Sequence, residues 1–245
     1  MFTFTDEDGV TQTVQDENMC HAYHADCMKF MRSCPDKFFD LAVVDPPYGS
    51  ACDTGGGTRW NRFGGVFDRY KESVPDGRKV GGKVRKKIVA WDIAPKQEYF
   101  NELFRVSRNQ IIWGGNYFPL PPTRCFLVWR KTNVPEDFTM AMCEYAWTSF
   151  NANAKMFEAS PQMIPNRFHP TQKPVKVYEW IYSHYAKPGD KILDTHLGSG
   201  TSRVVAHDMG LYFVGTEIDK EYFEKQERRF EQETLQLQLS EEVLP

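Results

Sequence analysis

The apolar positions of this chain follow two rhythms. One is a set of short, unbroken runs: "LAVV" at 41–44, "IIW" at 111–113, "FLVW" at 126–129, "IL" at 192–193 and "YFVG" at 212–215. Runs of that length, rich in β-branched residues and not alternating with polar ones, suit strands covered on both faces. The other rhythm has helical spacing. Cys27, Phe30, Met31 and Cys34 recur at three to four residues within "ADCMKFMRSCPDKFFD", and Tyr99, Phe100, Leu103 and Phe104 do so within "IAPKQEYFNELFRVS". Helices are predicted over both stretches, and over "KPVKVYEWIYSHYA", which starts near a proline and closes before "KPGD". The N-terminal residues read as a short strand or hairpin, and residues 133–168 as short strands separated by polar loops.

The C-terminal half sharpens the picture. "KILDTHLGSGTSRVVAHDMG" reads strand, glycine turn, helix, glycine stop, and "YFVGTEIDKEYFEKQERRFEQE" reads strand, acidic turn, helix. Such a βαβα succession marks a doubly wound, mostly parallel α/β sheet. A single domain is predicted over 1–245, with residues 235–245 as a frayed tail. Residues 49–87 break the pattern: "GSACDTGGGTRWNRFGG" and "DGRKVGGKVRKK" are rich in glycine and basic residues and read as a mobile loop.

Composition removes several classes of function. The 245 residues are 41% hydrophobic, enough for a real core. The formal net charge is −3, so a nucleic-acid partner would have to meet a local patch. The candidate patch is 78–87, with Lys83, Arg85, Lys86 and Lys87 at its end; a solvated loop explains such a run equally well. No apolar run approaches the ~18 residues of a membrane span. The acidic start has no signal-peptide pattern, so a cytoplasmic location is expected. Six cysteines without a CxxC pair read as reduced thiols. "CHAYH" at 20–24 lacks a second ligand pair at zinc spacing and reads as ordinary packing, so no metal is expected.

Candidate chemistry sits at two strand ends. In "LDTHLGSGTS", Gly198 and Gly200 leave room for a ligand, but there is no P-loop lysine and no third glycine of the dinucleotide fingerprint. Glu217 stands just past the next strand, with Asp219 two residues on. An acid there is where a ribose diol is gripped, so the pair of features suggests a nucleoside-containing cofactor. The second end is "DPPY". Asp45 closes a strand, Pro46 and Pro47 fix the backbone after it, and Tyr48 adds a flat face with a polar edge. A carboxylate, a fixed carbonyl and an aromatic plane suit a planar ring bearing an amino group.

"DPPY" at 45–48, "HPTQKP" at 169–174 and "LDTHLGSGT" at 193–201 resemble, in that order, the amino-methyltransferases of DNA, in the arrangement where the catalytic motif precedes the glycine motif. "IIWGGNYF" and "GDKILDTHLGSGTS" look like the small bacteriophage and prophage members. The resemblance spans most of residues 20–230. It implies a Rossmann-like fold and methyl transfer from S-adenosylmethionine to the exocyclic N6 of a flipped adenine, with cytosine N4 as the alternative. RNA or protein glutamine is a weaker alternative, because those relatives usually place the glycine motif first. A non-catalytic DNA-binding module would need a damaged motif, and both are intact. The resemblance also implies roles. Asp45 and the Pro46 carbonyl accept the amino hydrogens, and Tyr48 stacks on the base. The turn from His196 to Gly200, with Gly198 and Ser199, wraps the methionine part of the cofactor, and Asp194 and Thr201 beside it are cofactor-binding. Glu217 binds the ribose, with Asp219 beside it, Asp26 lies near the cofactor adenine, and Lys173 lines the cofactor pocket. His196 replaces the usual phenylalanine, which would make cofactor binding sensitive to its protonation. Residues 133–168 leave a small target-recognition segment, which fits a homodimer.

Overall fold

The computed structural model describes residues 1–15, 20–49, 92–136, 141–161 and 167–242. The Gly-rich and basic stretch, with Lys83, Arg85, Lys86 and Lys87, falls in 50–91, outside the described residues.

An N-terminal hairpin pairs β1 (Phe2–Thr5) with β2 (Thr11–Val14). The remaining elements follow as β3 (Cys20–His24), α1 (Cys27–Ser33), β4 (Phe39–Val44), α2 (Gln97–Val106), β5 (Ser107–Trp113), β6 (Phe126–Lys131), β7 (Cys143–Thr148), β8 (Lys155–Ala159), α3 (Val175–Tyr185), β9 (Lys191–Asp194), α4 (Thr201–Asp208), β10 (Tyr212–Glu217) and α5 (Lys220–Glu242). Strands β3 to β10 form one sheet in the order β3-β10-β9-β4-β5-β7-β6-β8. All neighbours are parallel except β7, which runs antiparallel to both β5 and β6. The architecture is therefore the predicted doubly wound, mostly parallel, Rossmann-like sheet. Its far edge carries β8, from the segment read as small strands between polar loops.

The unbroken apolar runs are explained by burial on both faces. In β4, Ala42 and Val44 join one core with Phe30, Tyr99, Phe100 and Leu103 from α1 and α2. Leu41 and Val43 join the other, with Tyr178, Ile181 and Tyr182 of α3 and Val205 of α4. Period-2 geometry sends neighbours to opposite faces, so both must be apolar.

Boundaries differ from the sequence reading where proline intervenes. The helix read across 25–40 stops at Ser33, because Pro35 disfavours helical backbone in the residue before it; Phe39 and Asp40 then begin β4. The helix α5 continues to Glu242, through most of the segment read as a tail.

"CHAYH" is strand β3 at the sheet edge. His24 bonds Asp8 at 2.9 Å and the Ile218 carbonyl at 3.2 Å, and Cys20 Sγ reaches the Arg203 carbonyl. Among the described residues, no helix is long and apolar enough to cross a membrane.

Candidate active site

The strand order reverses between β4 and β9. From β4 the chain winds outward to β5, and from β9 it winds the other way through β10. Two strands that part company there leave a crevice beyond their carboxyl ends, the usual ligand site of open α/β sheets. "DPPY" leaves the end of β4 and the glycine turn leaves the end of β9, so the topology brings the two candidate motifs together.

The glycine turn is held by hydrogen bonds between its backbone and side chains. Asp194 is buried; one carboxylate oxygen accepts from the His196 N–H at 3.1 Å and the other from Ser202 Oγ at 2.5 Å. Gly198 and Gly200 have φ of +54° and +72°, the left-handed region that glycine enters at least cost. A Cβ on Gly198 would lie 3.2 Å from the His169 ring, so the "HPTQKP" segment closes over this turn. Glu217 accepts from the Gly198 N–H and the Asp219 N–H, both at 2.8 Å. Those two bonds fix the carboxylate plane and leave its other lone pairs for a ligand hydroxyl. Burial pushes the Glu217 carboxyl above its ordinary range, offset by the N–H donors of Asp219 and Gly198.

Several expected cofactor residues have structural partners in this turn. Asp219 Oδ1 caps α5 through the N–H groups of Glu221 and Tyr222. Ser199 and Thr201 share a hydrogen bond, and Arg229 of α5 donates to the Ser199 carbonyl and to Thr201 Oγ1. Asp26 caps α1 through the Lys29 N–H and is close enough for its charge to act on His196. His196 packs edge-on against Tyr99, and burial lowers its pKa to about 4. It is therefore neutral near pH 7, and the protonation sensitivity expected of it is confined to acid conditions.

The "DPPY" turn is held differently. Tyr48 donates to Asp45 Oδ1 at 2.6 Å, and Lys173 Nζ bonds Asp45 Oδ2. Gly49 N–H is taken by Asp92 at 3.0 Å. Tyr48 stacks on Tyr117 with ring centres 4.9 Å apart. Room for the Tyr48 ring comes from Gly114, at φ +66°, where a Cβ would come within 2.2 Å of the ring. Burial, then the Asp45 charge, pushes the Tyr48 hydroxyl well above its ordinary pKa, so it stays a donor.

Lys173, expected at the cofactor pocket, stands beside the Asp45 carboxylate. It also lies 3.3 Å from Glu144 of β7 and over the Trp113 ring at 4.9 Å. Burial alone would depress its pKa, but the charges of Asp45 and Glu144 hold it above the ordinary lysine value. Sequence reasoning missed Glu144, Gly114 and Tyr117. Only Gly114 and Tyr117 left a trace, in the "WGGNYF" string.

Two motif-bearing ends of neighbouring strands at one switch point fit the plan of a Rossmann-like methyltransferase. Residues 128–228 match the family described as N6_N4_Mtase, DNA methylase. That match covers the "HPTQKP" segment, the glycine turn and Glu217. The type II methyltransferase M2.DpnII of Streptococcus pneumoniae is 26% identical over 263 aligned residues, covering 91% of this chain and 94% of that protein. M2.LlaDCHI of Lactococcus lactis subsp. cremoris, also a type II methyltransferase, is 26% identical over 242, covering 84% and 87%. The structure of the cytosine-N4-specific PvuII DNA methyltransferase shares the fold with a TM-score of 0.54 at 12% identity, over 85% of each chain. That of the M1.HpyAVI–SAM complex does so at 0.52 and 19%, over 85% of this chain and 98% of that one. In these comparisons the chain is similar to the N6/N4 DNA methylases, and it is an S-adenosylmethionine-dependent DNA methyltransferase.

Proposed function

We propose that the chain transfers a methyl group from S-adenosylmethionine to the N6 amino group of an adenine flipped out of DNA. The observation that carries this is Asp45 at the end of β4, held by Tyr48 and Lys173, next to β9, from which the glycine turn leaves. The glycine turn fits a nucleoside cofactor: Gly198 has no Cβ to fill the space against His169, and Glu217 retains lone pairs for ribose hydroxyls. Bound there, S-adenosylmethionine supplies a methyl group on a cationic sulfur, a leaving group that needs no metal.

The chain's own residues act on the acceptor. An adenine amino nitrogen is a poor nucleophile because its lone pair is delocalised into the ring. Asp45 and the Pro46 carbonyl accept its two hydrogens, localise that pair and stabilise the positive charge that grows on nitrogen. The new N–C bond forms as the S–C bond breaks, its electron pair stays on sulfur, and one amino proton then leaves to solvent past Asp45. Alignment by the two strand ends contributes several kcal/mol, roughly. Flipping the base costs a few kcal/mol, of the order that stacking on Tyr48 offsets.

The "DPPY" form of the motif favours adenine over cytosine. Lys83, Arg85, Lys86 and Lys87 contact phosphates in this reading, and neutralising them flattens the salt dependence by ~0.9 log–log units per contact. Residues 133–168 carry the small recognition segment, and a homodimer and a cytoplasmic location fit it. The test is incubation with unmethylated DNA and labelled S-adenosylmethionine, then digestion to nucleosides. N6-methyladenine is expected; label in N4-methylcytosine, or no label in DNA, overturns the reading.

A further inference from the structure

The charged groups behind Asp45 form a ladder that no ligand contact explains. Lys131 of β6 bonds Glu144 of β7 at 2.7 Å, Glu144 lies 3.3 Å from Lys173, and Lys173 bonds Asp45. The Lys173 side chain is 4% exposed and that of Lys131 8%. Burying such charges costs several kcal/mol per ion, about as much as their pairing returns, and apolar residues of similar size often serve stability as well or better. The ladder therefore calls for a reason other than holding β6 and β7 together.

Its order supplies one. The signs alternate from Lys131 to Asp45, and Asp45 is the last rung. Lys173 takes one Asp45 oxygen and Tyr48 the other, which sets the plane of the carboxylate and leaves a lone pair on each oxygen free. A lysine shared with no second carboxylate would draw wholly on Asp45 and weaken it as an acceptor for a nitrogen that is becoming positive. Glu144 divides that pull.

We propose that Glu144 and Lys173 are positioning residues for Asp45: Lys173 fixes the orientation of the carboxylate, and Glu144 keeps Lys173 from neutralising it. The role rests on the methyl-transfer reading above. It gives the lysine of "HPTQKP" a task in the acceptor half of the site, and it recruits β7, the antiparallel strand of the large sheet among the described residues, to the chemistry.

The test uses the full chain, plasmid DNA lacking methylation and tritiated S-adenosylmethionine. Glu144→Gln is expected to lower the single-turnover rate about tenfold, normalised to cofactor-binding sites, with the KM for DNA and the cofactor Kd within about twofold. Lys173→Met is expected to lower the rate about a hundredfold, with cofactor affinity again retained. A purely structural role would lower the fraction of binding-competent protein and leave the normalised rate unchanged, and that result overturns the proposal. So does a cofactor Kd that weakens in step with the rate, which would return Lys173 to the cofactor pocket. If Lys173→Met does not fold, Glu144→Gln decides alone, since Glu144 is 26% exposed. Wild-type protein that leaves DNA unlabelled sinks the functional reading itself, an outcome distinct from active wild type with an equally active Glu144→Gln.

Discussion

The two strand ends at the switch point solve the same problem by opposite means. In the glycine turn carboxylates bond main-chain N–H groups, Asp194 to His196 and Glu217 to Gly198, and Arg229 of α5 donates to the Ser199 carbonyl. The "DPPY" turn is held by side-chain charge from far along the chain, with Lys173 and Asp45 128 residues apart. Main-chain donors cannot titrate and shift little, so they suit a pocket that must keep one shape. Side-chain charges polarise a reacting group, which suits a site that must stabilise a changing charge.

If the comparison holds, damage to one end leaves the other working. Glu217→Ala should have the largest effect on the cofactor side. Loss of a charged acceptor to the ribose costs roughly 1.5–3 kcal/mol, about ten- to 150-fold in Kd by calorimetry. An unchanged Kd would remove Glu217 from the cofactor site. On the catalytic side, Gly114→Ala adds a Cβ where the Tyr48 ring lies and strains a left-handed residue. It should displace Tyr48 from Asp45 and slow methyl transfer about tenfold, with cofactor Kd within about twofold. A wild-type rate would mean that the Tyr48 position is immaterial.

The smallest effect concerns pH and sharpens the contrast. Burial raises Asp194 from 3.8 to about 7 and lowers His196 from 6.5 to about 4. As pH rises from about 4 to 6.5, unfolded Asp194 ionises while the folded group stays protonated, so this residue costs increasing stability. Over the same window unfolded His196 loses its proton and the folded ring is already neutral, so its cost disappears. The two slopes oppose each other. Asp194→Asn removes the first, so its stability relative to wild type should improve with pH across that window, by a few kcal/mol at most, roughly. Denaturant titrations at pH 4.5 and 7 measure it. Parallel behaviour of the two proteins would show that Asp194 ionises normally in the folded state.

The same contrast explains what could be read in the sequence. The βαβα rhythm, the glycine turn and Glu217 were legible because their geometry is local: strand, glycines and acid fall within about one supersecondary unit. Asp45, Pro46, Pro47 and Tyr48 were legible as one compact string. The ladder was not, since nothing in "CEYAW" marks Glu144 as a partner for a residue on another element. Antiparallel β7 between β5 and β6 brings them together, and that pairing is a property of the whole sheet. The bond from Lys173 to Asp45 was not legible either, because one segment serves both ends, His169 at the glycine turn and Lys173 at Asp45.

The separateness of the two ends is tested most directly by measuring methyl transfer to DNA and S-adenosylmethionine affinity on one variant, Asp45→Asn. The change keeps the size of the side chain and removes its charge. Methyl transfer should fall below about one percent of wild type while the cofactor Kd stays within about threefold. Turnover above that level, or a cofactor affinity lost together with activity, would contradict the division of labour between the two turns.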